Sequence, residues 1–122
     1  MMNAAPYQKK LKRALDLMGG LFTVNDILER IAEGKMQSFV EGNSWAVTEI
    51  QAFPRRRVLT IVAALGDLED LRILHDRVLH FAEAENCTLV RAFGRLGWMP
   101  DAHERGWRVV ANNLVYHREF SR

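Results

Sequence analysis

The sequence predicts an α/β (α+β) fold, a mixed sheet with a central parallel strand pair, one long crossover helix and two N-terminal helices. Residues 58–65 are apolar at almost every position, which is typical of a strand buried on both faces. Gly66 breaks this run, and a helical pattern follows over residues 68–85. Residues 88–93 then return as a strand. A helix between two strands favours a parallel, right-handed crossover, so the two strands should be neighbours.

Two amphipathic helices are predicted ahead of the sheet. The apolar stripe of the first consists of Tyr7, Leu11, Ala14, Leu15 and Met18, and Gly19-Gly20 ends it. The second begins at Thr23, which precedes the Asp26 carboxylate by three residues, the spacing of a capping box. Its stripe consists of Val24, Ile27, Leu28 and Ile31, and Gly34 ends it. We expect an N-terminal helix over residues 1–20 and one domain over residues 21–122.

Short strands and turns account for the rest of the chain. Gly42-Asn43 is a turn between two extended stretches, and residues 45–53 alternate as a strand with one mixed face. Residues 54–57 form a hairpin connection to the central strand. The long helix after Gly66 has Asp67 as its N-cap, with a core stripe of Leu71, Leu74, Val78 and Phe81. One short helix after Pro100 and a long final strand over residues 107–120 complete the prediction.

Composition excludes several classes of protein. The chain has 122 residues, of which 48% are hydrophobic and 26% charged, so it is neither disordered nor a disulfide-rich miniprotein. Cys87 is the single cysteine and cannot form an internal disulfide; we interpret it as a small buried hydrophobe. No apolar run reaches the roughly 18 residues that span a bilayer, and no leader pattern opens the chain. We expect the protein to be in the cytosol, or in the final location of a complex that assembles in the cytosol.

Positive charge is concentrated in two places although the net charge is only +2. Lys9, Lys10, Lys12 and Arg13 lie on the first helix, and Arg55, Arg56 and Arg57 at a predicted hairpin tip. The arginines form either a solvated turn or a contact with an acidic protein surface or packaged DNA. The basic helix could pack on its own domain, dock on a neighbouring subunit through a hinge at Gly19-Gly20, or lie on a membrane; we favour the first two.

Four short motifs resemble one family. They are Val47-Thr48-Glu49-Ile50-Gln51-Ala52-Phe53-Pro54, Leu65-Gly66-Asp67, Glu85-Asn86-Cys87 and Gly94-Arg95-Leu96-Gly97-Trp98. With the order of elements after about residue 20, they resemble small GNAT-like (acetyltransferase-fold) proteins of tailed phages and prophages, and more distantly the T7-like internal virion protein. The resemblance implies a GNAT-like mixed sheet and a place among virion proteins.

Active GNAT enzymes hold the acetyl-CoA pyrophosphate in a glycine-rich, basic loop after the central strand. The corresponding stretch here, residues 63–70, has one glycine, no basic residue and the three carboxylates of Asp67, Glu69 and Asp70. These charges suit an empty helix N-terminus and oppose an anion there. A capped helix is therefore favoured over a disguised cofactor loop. We expect a vestigial cleft at Leu65, Gly66 and Asp67, with Trp98 as a candidate wall residue.

The resemblance also implies a catalytic tyrosine about four residues before a Gly-aromatic pair. Gly106-Trp107 matches that pair, and the position holds Ala102. His103 is adjacent, but a lone His in a polar stretch is typical of solvated surface, and Tyr116 comes too late. His75 and His80 lie five residues apart on the long helix, which argues against a shared metal.

These observations predict no catalytic residue, no metal and no cofactor. The predicted function is a non-enzymatic phage protein that serves as a structural, internal or assembly component of the virion. The expected partners are portal, tail or internal core proteins, with packaged DNA reached through the basic clusters, a homo-oligomer in the virion, and localisation in the virion and host cytoplasm. Two alternatives stay open: an N-acetyltransferase that uses acetyl-CoA with an atypical loop, and a regulatory protein that binds a small ligand in the old cleft.

Overall fold

The computed structural model describes residues 8–17, 20–92 and 99–108. The elements are α1 (Gln8–Leu17), α2 (Val24–Ala32), β1 (Gln37–Glu41), β2 (Ser44–Ala52), β3 (Arg57–Leu65), α3 (Leu68–Ala84), β4 (Leu89–Ala92) and α4 (Met99–Glu104). The chain forms two compact units, Met1–Ala92 and Phe93–Arg122. Seven of the eight elements belong to the first unit, so the sheet and its helices can be described within it.

The four strands form one sheet in the order β1-β2-β3-β4. β1 and β2, and β2 and β3, pair antiparallel, whereas β3 and β4 pair parallel through Val58↔Leu89 to Ile61↔Ala92. This confirms the predicted parallel pair and its crossover helix. Val47 pairs with Ala63 and Thr48 with Ile61, so β3 carries one extra residue between them. Such a β-bulge bends the strand locally and changes which face its next side chains occupy.

One core lies between the sheet and the two N-terminal helices. Its buried members are Leu11, Leu15, Ile27, Met36, Trp45, Val47 and Leu65. Leu11 is 0% and Leu15 2% exposed, because the apolar side of α1 packs back on its own unit. Among the alternatives for this helix, the structure therefore has intramolecular packing. The predicted boundary between residues 20 and 21 stays a prediction.

A second core lies against α3. Leu59, Val78 and Ala82 are its buried members, and Phe39, Ile50, Ile61, Phe81, Cys87 and Val90 pack around them. Cys87 is half-buried in this cluster, in line with its interpretation as a hydrophobe. The bulge accounts for the division of β3 between the two cores, since Leu59 belongs to this one and Leu65 to the other.

Several boundaries differ from the sequence predictions. β2 ends at Ala52 because the Phe53 N–H donates to the Arg56 carbonyl at 2.8 Å and closes the turn. Residues 61–64 are half-buried rather than fully buried, although core side chains cover both faces there, since Val62 and Ala63 pack on the first core and Ile61 on the second. Trp107 and Arg108 are not in a strand. The other residues of the predicted final strand, 109–120, lie outside the described residues.

The N-terminus of α2 is built as predicted. The Asp26 N–H donates to Thr23 Oγ1 at 3.1 Å, and the Thr23 N–H donates to Asp26 Oδ2 at 2.8 Å. This reciprocal capping box satisfies two donors that the helix cannot satisfy itself. Among the described residues, no helix is long and apolar enough to cross a membrane.

Candidate functional site

The junction between β3 and α3 is the place at which the sequence resemblance implies a cofactor loop. Gly66 has φ +130° and turns the chain from the strand into the helix. The Asp67 N–H donates to Ser44 Oγ at 2.9 Å, and Ser44 Oγ donates in turn to Asp70 Oδ2 at 3.2 Å. The Asn43 N–H also points to Asp70 Oδ2, at 3.4 Å. The β1–β2 turn is thereby hydrogen-bonded to the first turn of α3.

Two glycines make this close approach possible. A Cβ on Gly66 would lie 1.9 Å from Ser44 Oγ and 2.6 Å from its Cα. A Cβ on Gly42 would lie 2.7 Å from Asp70 Oδ2, and Gly42 has φ +53°. Gly66 thus requires a residue without a side chain, because Ser44 backbone lies in the way, whereas a side chain at Gly42 would displace the Asp70 carboxylate and strain the positive φ. On this side of the α3 N-terminus, Ser44 Oγ is in hydrogen-bond contact with the Asp67 N–H and with Asp70.

Asp67 does not cap the helix in the way predicted. It occupies the N-cap position, but its side chain makes no capping hydrogen bond. Ser44, which is 0% exposed and comes from strand β2, accepts from the Asp67 N–H, a different donor from the N–H groups of the first turn that an N-cap side chain would satisfy. Glu69 and Asp70 lie in the first turn, where negative charge is favourable to the helix dipole. Sequence reasoning missed Ser44, because nothing near it marks a contact with residues 23 and 26 positions away.

Ser44→Ala tests this arrangement. The substitution leaves the Asp67 N–H without its acceptor and removes a donor from Asp70, so we expect the free energy of unfolding to fall by about 1–3 kcal/mol. Asp67→Ala is the matched control: its carboxylate makes no capping bond, and the loss should stay within about 0.5 kcal/mol. Urea unfolding followed by circular dichroism measures both. Equal losses in the two variants would contradict the role of Ser44.

A polar band crosses one face of the sheet next to the first core. Arg30 of α2 donates to Glu49 Oε2 at 2.7 Å. From β4, Arg91 donates to Thr60 Oγ1 and Gln51 Oε1, both at 2.9 Å. Its guanidinium also lies 5.3 Å from the centre of the Phe53 ring. These hydrogen bonds connect Arg91 of β4 to one side chain on β3 and one on β2. The sequence did not show that the polar residues on the mixed face of β2 have this role.

The two basic clusters occupy different elements. Arg55 and Arg56 are exposed at the β2–β3 turn, as predicted. Arg57 is set apart from them, because its Nε donates to the Glu85 carbonyl at 2.9 Å and its Nη2 lies 3.9 Å from Glu85 Oε2. Lys9, Lys10, Lys12 and Arg13 are exposed on α1, where Lys12 lies 3.5 Å from Asp16. Their role in partner binding stays a prediction.

The remaining candidates contribute no catalytic constellation within the described residues. Leu65 is 8% exposed and belongs to the first core; Trp98 and Tyr116 lie outside the described residues, and the vestigial cleft stays a prediction. On α4, Ala102 is half-buried and His103 exposed. His75 Nδ1 lies 2.9 Å from Asp76 Oδ1. Among the residues that the structure describes, no three His, Cys, Asp or Glu side chains are grouped to hold a metal ion.

Comparison with solved structures shows which known fold the chain has. No protein-family model and no curated protein matches the chain. A predicted acetyltransferase from Clostridium acetobutylicum, whose structure was determined with acetyl-CoA, is 13% identical with a TM-score of 0.65, over 93% of this chain and 90% of the other. An acetyltransferase from Trypanosoma brucei is 16% identical with a TM-score of 0.63, over 91% and 94%.

A protein from Thermus thermophilus is also similar, with 16% identity and a TM-score of 0.61 over 95% of both chains. At these identities the likeness concerns the path of the chain rather than its chemistry. The mixed sheet, the parallel β3–β4 pair and the crossover helix α3 agree with it. The chain has the GNAT-type acetyltransferase fold.

Proposed function

We propose that this GNAT-fold protein does not transfer acetyl groups and serves as a structural or assembly component of a tailed-phage virion. The observation that carries the first part is the hydrogen-bonded contact of Ser44 with Asp67 and Asp70 at the N-terminus of α3. The phage role is supported by the four sequence motifs that resemble small GNAT-like phage proteins.

An anion at this helix N-terminus would meet two obstacles. The first is steric, because Ser44 Oγ already lies 2.9 Å from the Asp67 nitrogen and the Gly66 Cα is packed against Ser44. The second is electrostatic, because the N-cap Asp67 and the first-turn residues Glu69 and Asp70 place three carboxylates at this end of the helix. A diphosphate would have to approach them at short range in a site with no basic side chain between residues 63 and 70. Both obstacles support a protein that leaves the cofactor unbound.

Calorimetry with acetyl-CoA tests the cofactor part of the proposal. We expect no saturable heat for this chain under conditions in which the similar Clostridium acetobutylicum protein, which was crystallised with acetyl-CoA, binds it. A general amine-acetylation assay should likewise show no turnover. A micromolar dissociation constant or measurable turnover would overturn this part and favour the alternative, an N-acetyltransferase with an atypical cofactor loop.

A charge-neutral variant separates the two obstacles. Asp67→Asn, Glu69→Gln and Asp70→Asn together remove the three negative charges while keeping side chains of similar size. If sterics dominate, this variant stays unable to bind acetyl-CoA; weak binding gained by the variant, but not by the unchanged chain, would assign the exclusion to charge. Coenzyme A and inorganic diphosphate serve as further probes in the same titration.

Attachment to other virion proteins is the partner part of the proposal. The exposed side chains of Arg55 and Arg56 and the basic side of α1 present positive charge to an acidic surface of a portal, tail or internal core protein. Such contacts weaken as salt rises, because the screening length falls to about 3 Å at 1 M. Mass spectrometry of purified virions should detect the protein. Its loss from particles when Arg55 and Arg56 are replaced by Ser would identify the attachment surface.

Absence of the protein from purified virions would contradict the phage role. Unchanged incorporation of the double Ser variant would instead place attachment on another face. A variant with Lys9 and Lys10 replaced by Ser serves as the matched test of the α1 cluster. Because the apolar side of α1 is part of the core, substitution of its exposed lysines is a cleaner test than deletion of the helix.

A further inference from the structure

Strand β2 extends beyond its neighbour β1 and has an open edge there. β1 pairs with β2 from Glu41↔Ser44 to Gln37↔Thr48, whereas β2 continues to Ala52. Residues 49–52 pair with β3 on one side. Within residues 20–92, no strand pairs with their other side. In the described part of the chain, these four residues of β2 thus have a neighbouring strand on one side only.

The hydrogen-bonding groups along this edge face outward at alternate residues. The two-residue turn at Gly42-Asn43 makes Ser44 a hydrogen-bonded partner of β1, so every second residue after it points its N–H and C=O toward the β1 side. Ile50 and Ala52 have this parity. The bond from the Phe53 N–H to the Arg56 carbonyl agrees, because it directs the odd-numbered residues toward β3. Ile50 and Ala52 therefore present two donors and two acceptors to the open edge.

A groove of about 740 Å³ runs along this edge. The C-terminal end of α2 and the residues after it form one side. Ile50 and Phe81 supply apolar surface and belong to the second core. The rim is polar: Arg30 pairs with Glu49 at 2.7 Å and Lys35 with Glu33 at 2.8 Å, and the pKa of Glu33 is lowered by that hydrogen bond and charge. The groove has room for a chain in extended conformation.

The outer edge of β1 is protected in a way that the edge of β2 is not. Arg77 of α3 donates to the Val40 carbonyl at 2.7 Å and lies 3.3 Å from Glu41 Oε2. A long cationic side chain placed on an outward carbonyl is one means of blocking strand addition. Among the described residues, no side-chain hydrogen bond is recorded on the Ile50 or Ala52 backbone. The edge at residues 49–52 is therefore the better site for a new strand.

The charges around the open edge of β2 indicate which kind of peptide could pair with it. The rim cations Arg30, Lys35 and Arg57 each have an acidic partner. Just beyond Ala52, the exposed Arg55 and Arg56 add two positive charges at one end of the open edge. We propose that this edge binds an extended peptide segment of a partner protein, with apolar side chains at its centre and acidic residues at its flank, by strand addition to β2. The inference goes beyond the proposed function, since it holds whether or not the protein binds acetyl-CoA.

A synthetic peptide provides the test. The probe is Asp-Asp-Val-Thr-Val-Asp-Asp with capped ends, whose acids flank either orientation of the added strand. Titrated into the ¹⁵N-labelled full chain, it should shift the amide signals of Ile50 and Ala52 with saturation. The same peptide with the backbone nitrogens of both valines and of the threonine methylated lacks its central N–H donors in either register, and one with Lys in place of Asp carries the wrong charge; each should bind at least about tenfold more weakly.

Two matched variants locate the peptide. Ala52→Pro removes an outward N–H at the proposed edge, and Val40→Pro removes one at the edge of β1. Proline is tolerated where an edge N–H faces away from the sheet, so we expect Ala52→Pro to weaken binding about tenfold and Val40→Pro by less than about twofold. Equal effects of the two variants, or equal binding of the methylated peptide to the unchanged chain, would overturn the proposal. The proposal would also be overturned if the amide signals of Ile50 and Ala52 shifted with protein concentration in the absence of peptide, because a second copy of the chain would then occupy the edge.

Discussion

Gly66→Ala is expected to destabilise the first unit strongly. The new Cβ would lie 1.9 Å from Ser44 Oγ and 2.6 Å from Ser44 Cα, and the second of these atoms belongs to the backbone of a central strand and cannot rotate away. The φ of +130° is also one that side chains rarely adopt. Steric overlap and backbone strain act together, so the free energy of unfolding should fall by at least about 3 kcal/mol. Equilibrium unfolding in urea measures this change.

Gly34→Ala is the matched control. This glycine also has a positive φ, +76°, but a Cβ there would meet no atom within 4 Å. It should therefore lose only the cost of the left-handed conformation, about 1–2 kcal/mol. If Gly66→Ala were no more destabilising than Gly34→Ala, the close contact between the β3–α3 junction and Ser44 would be wrong. The steric argument against a cofactor at the α3 N-terminus would then fall with it.

Local patterns predicted the arrangement of the sheet. The apolar run at residues 58–65, the break at Gly66 and the long helical pattern are all adjacent in sequence, and a crossover between parallel strands has one favoured hand. The Thr23 capping box is similarly local, since its two partners lie three residues apart. Features of this kind can be predicted from a sequence because the residues that make them also carry the signal.

The candidate site depends on contacts between distant residues. Ser44 reaches Asp67 and Asp70 across 23 and 26 positions, and Arg91 reaches Gln51 across 40. No spacing rule connects such pairs. The bulge in β3 and the unequal lengths of β1 and β2 are also properties of strand pairing, and the open edge at residues 49–52 follows from them. Sequence reasoning identified the three carboxylates and missed the serine that fixes one of them.

The arginines at residues 55–57 also show that neighbours in sequence can have different surroundings in the structure. The sequence places Arg55, Arg56 and Arg57 in one run, but the structure separates Arg57, which donates to the Glu85 carbonyl and pairs with its carboxylate. Arg55 and Arg56 remain exposed at the turn. Arg57 is still exposed over 44% of its side chain, but its charge is paired with Glu85. Adjacent residues of one charge need not act together when one of them begins a strand.

Leu11→Ala is the second substitution from which we expect a large loss in the free energy of unfolding. Leu11 is 0% exposed and lies in the core with Trp45 and Leu65, so the substitution leaves a cavity and should reduce the free energy of unfolding by about 2–5 kcal/mol. Lys10→Ala, on the exposed side of the same helix, should change it by less than about 0.5 kcal/mol. Thermal and urea unfolding of both variants measure the difference.

The result for Leu11 also decides how α1 can be used in binding. A helix that contributes to the core cannot leave it without exposing Leu11 and Leu15, whose burial contributes about 1.5–3 kcal/mol each. If Leu11→Ala is as mild as Lys10→Ala, α1 is only loosely attached and a docking arm becomes the better description. If the loss is large, α1 stays in place and only its basic side is available to a partner. Partner binding by the α1 cluster should then require the intact helix and respond to substitutions on its exposed face alone.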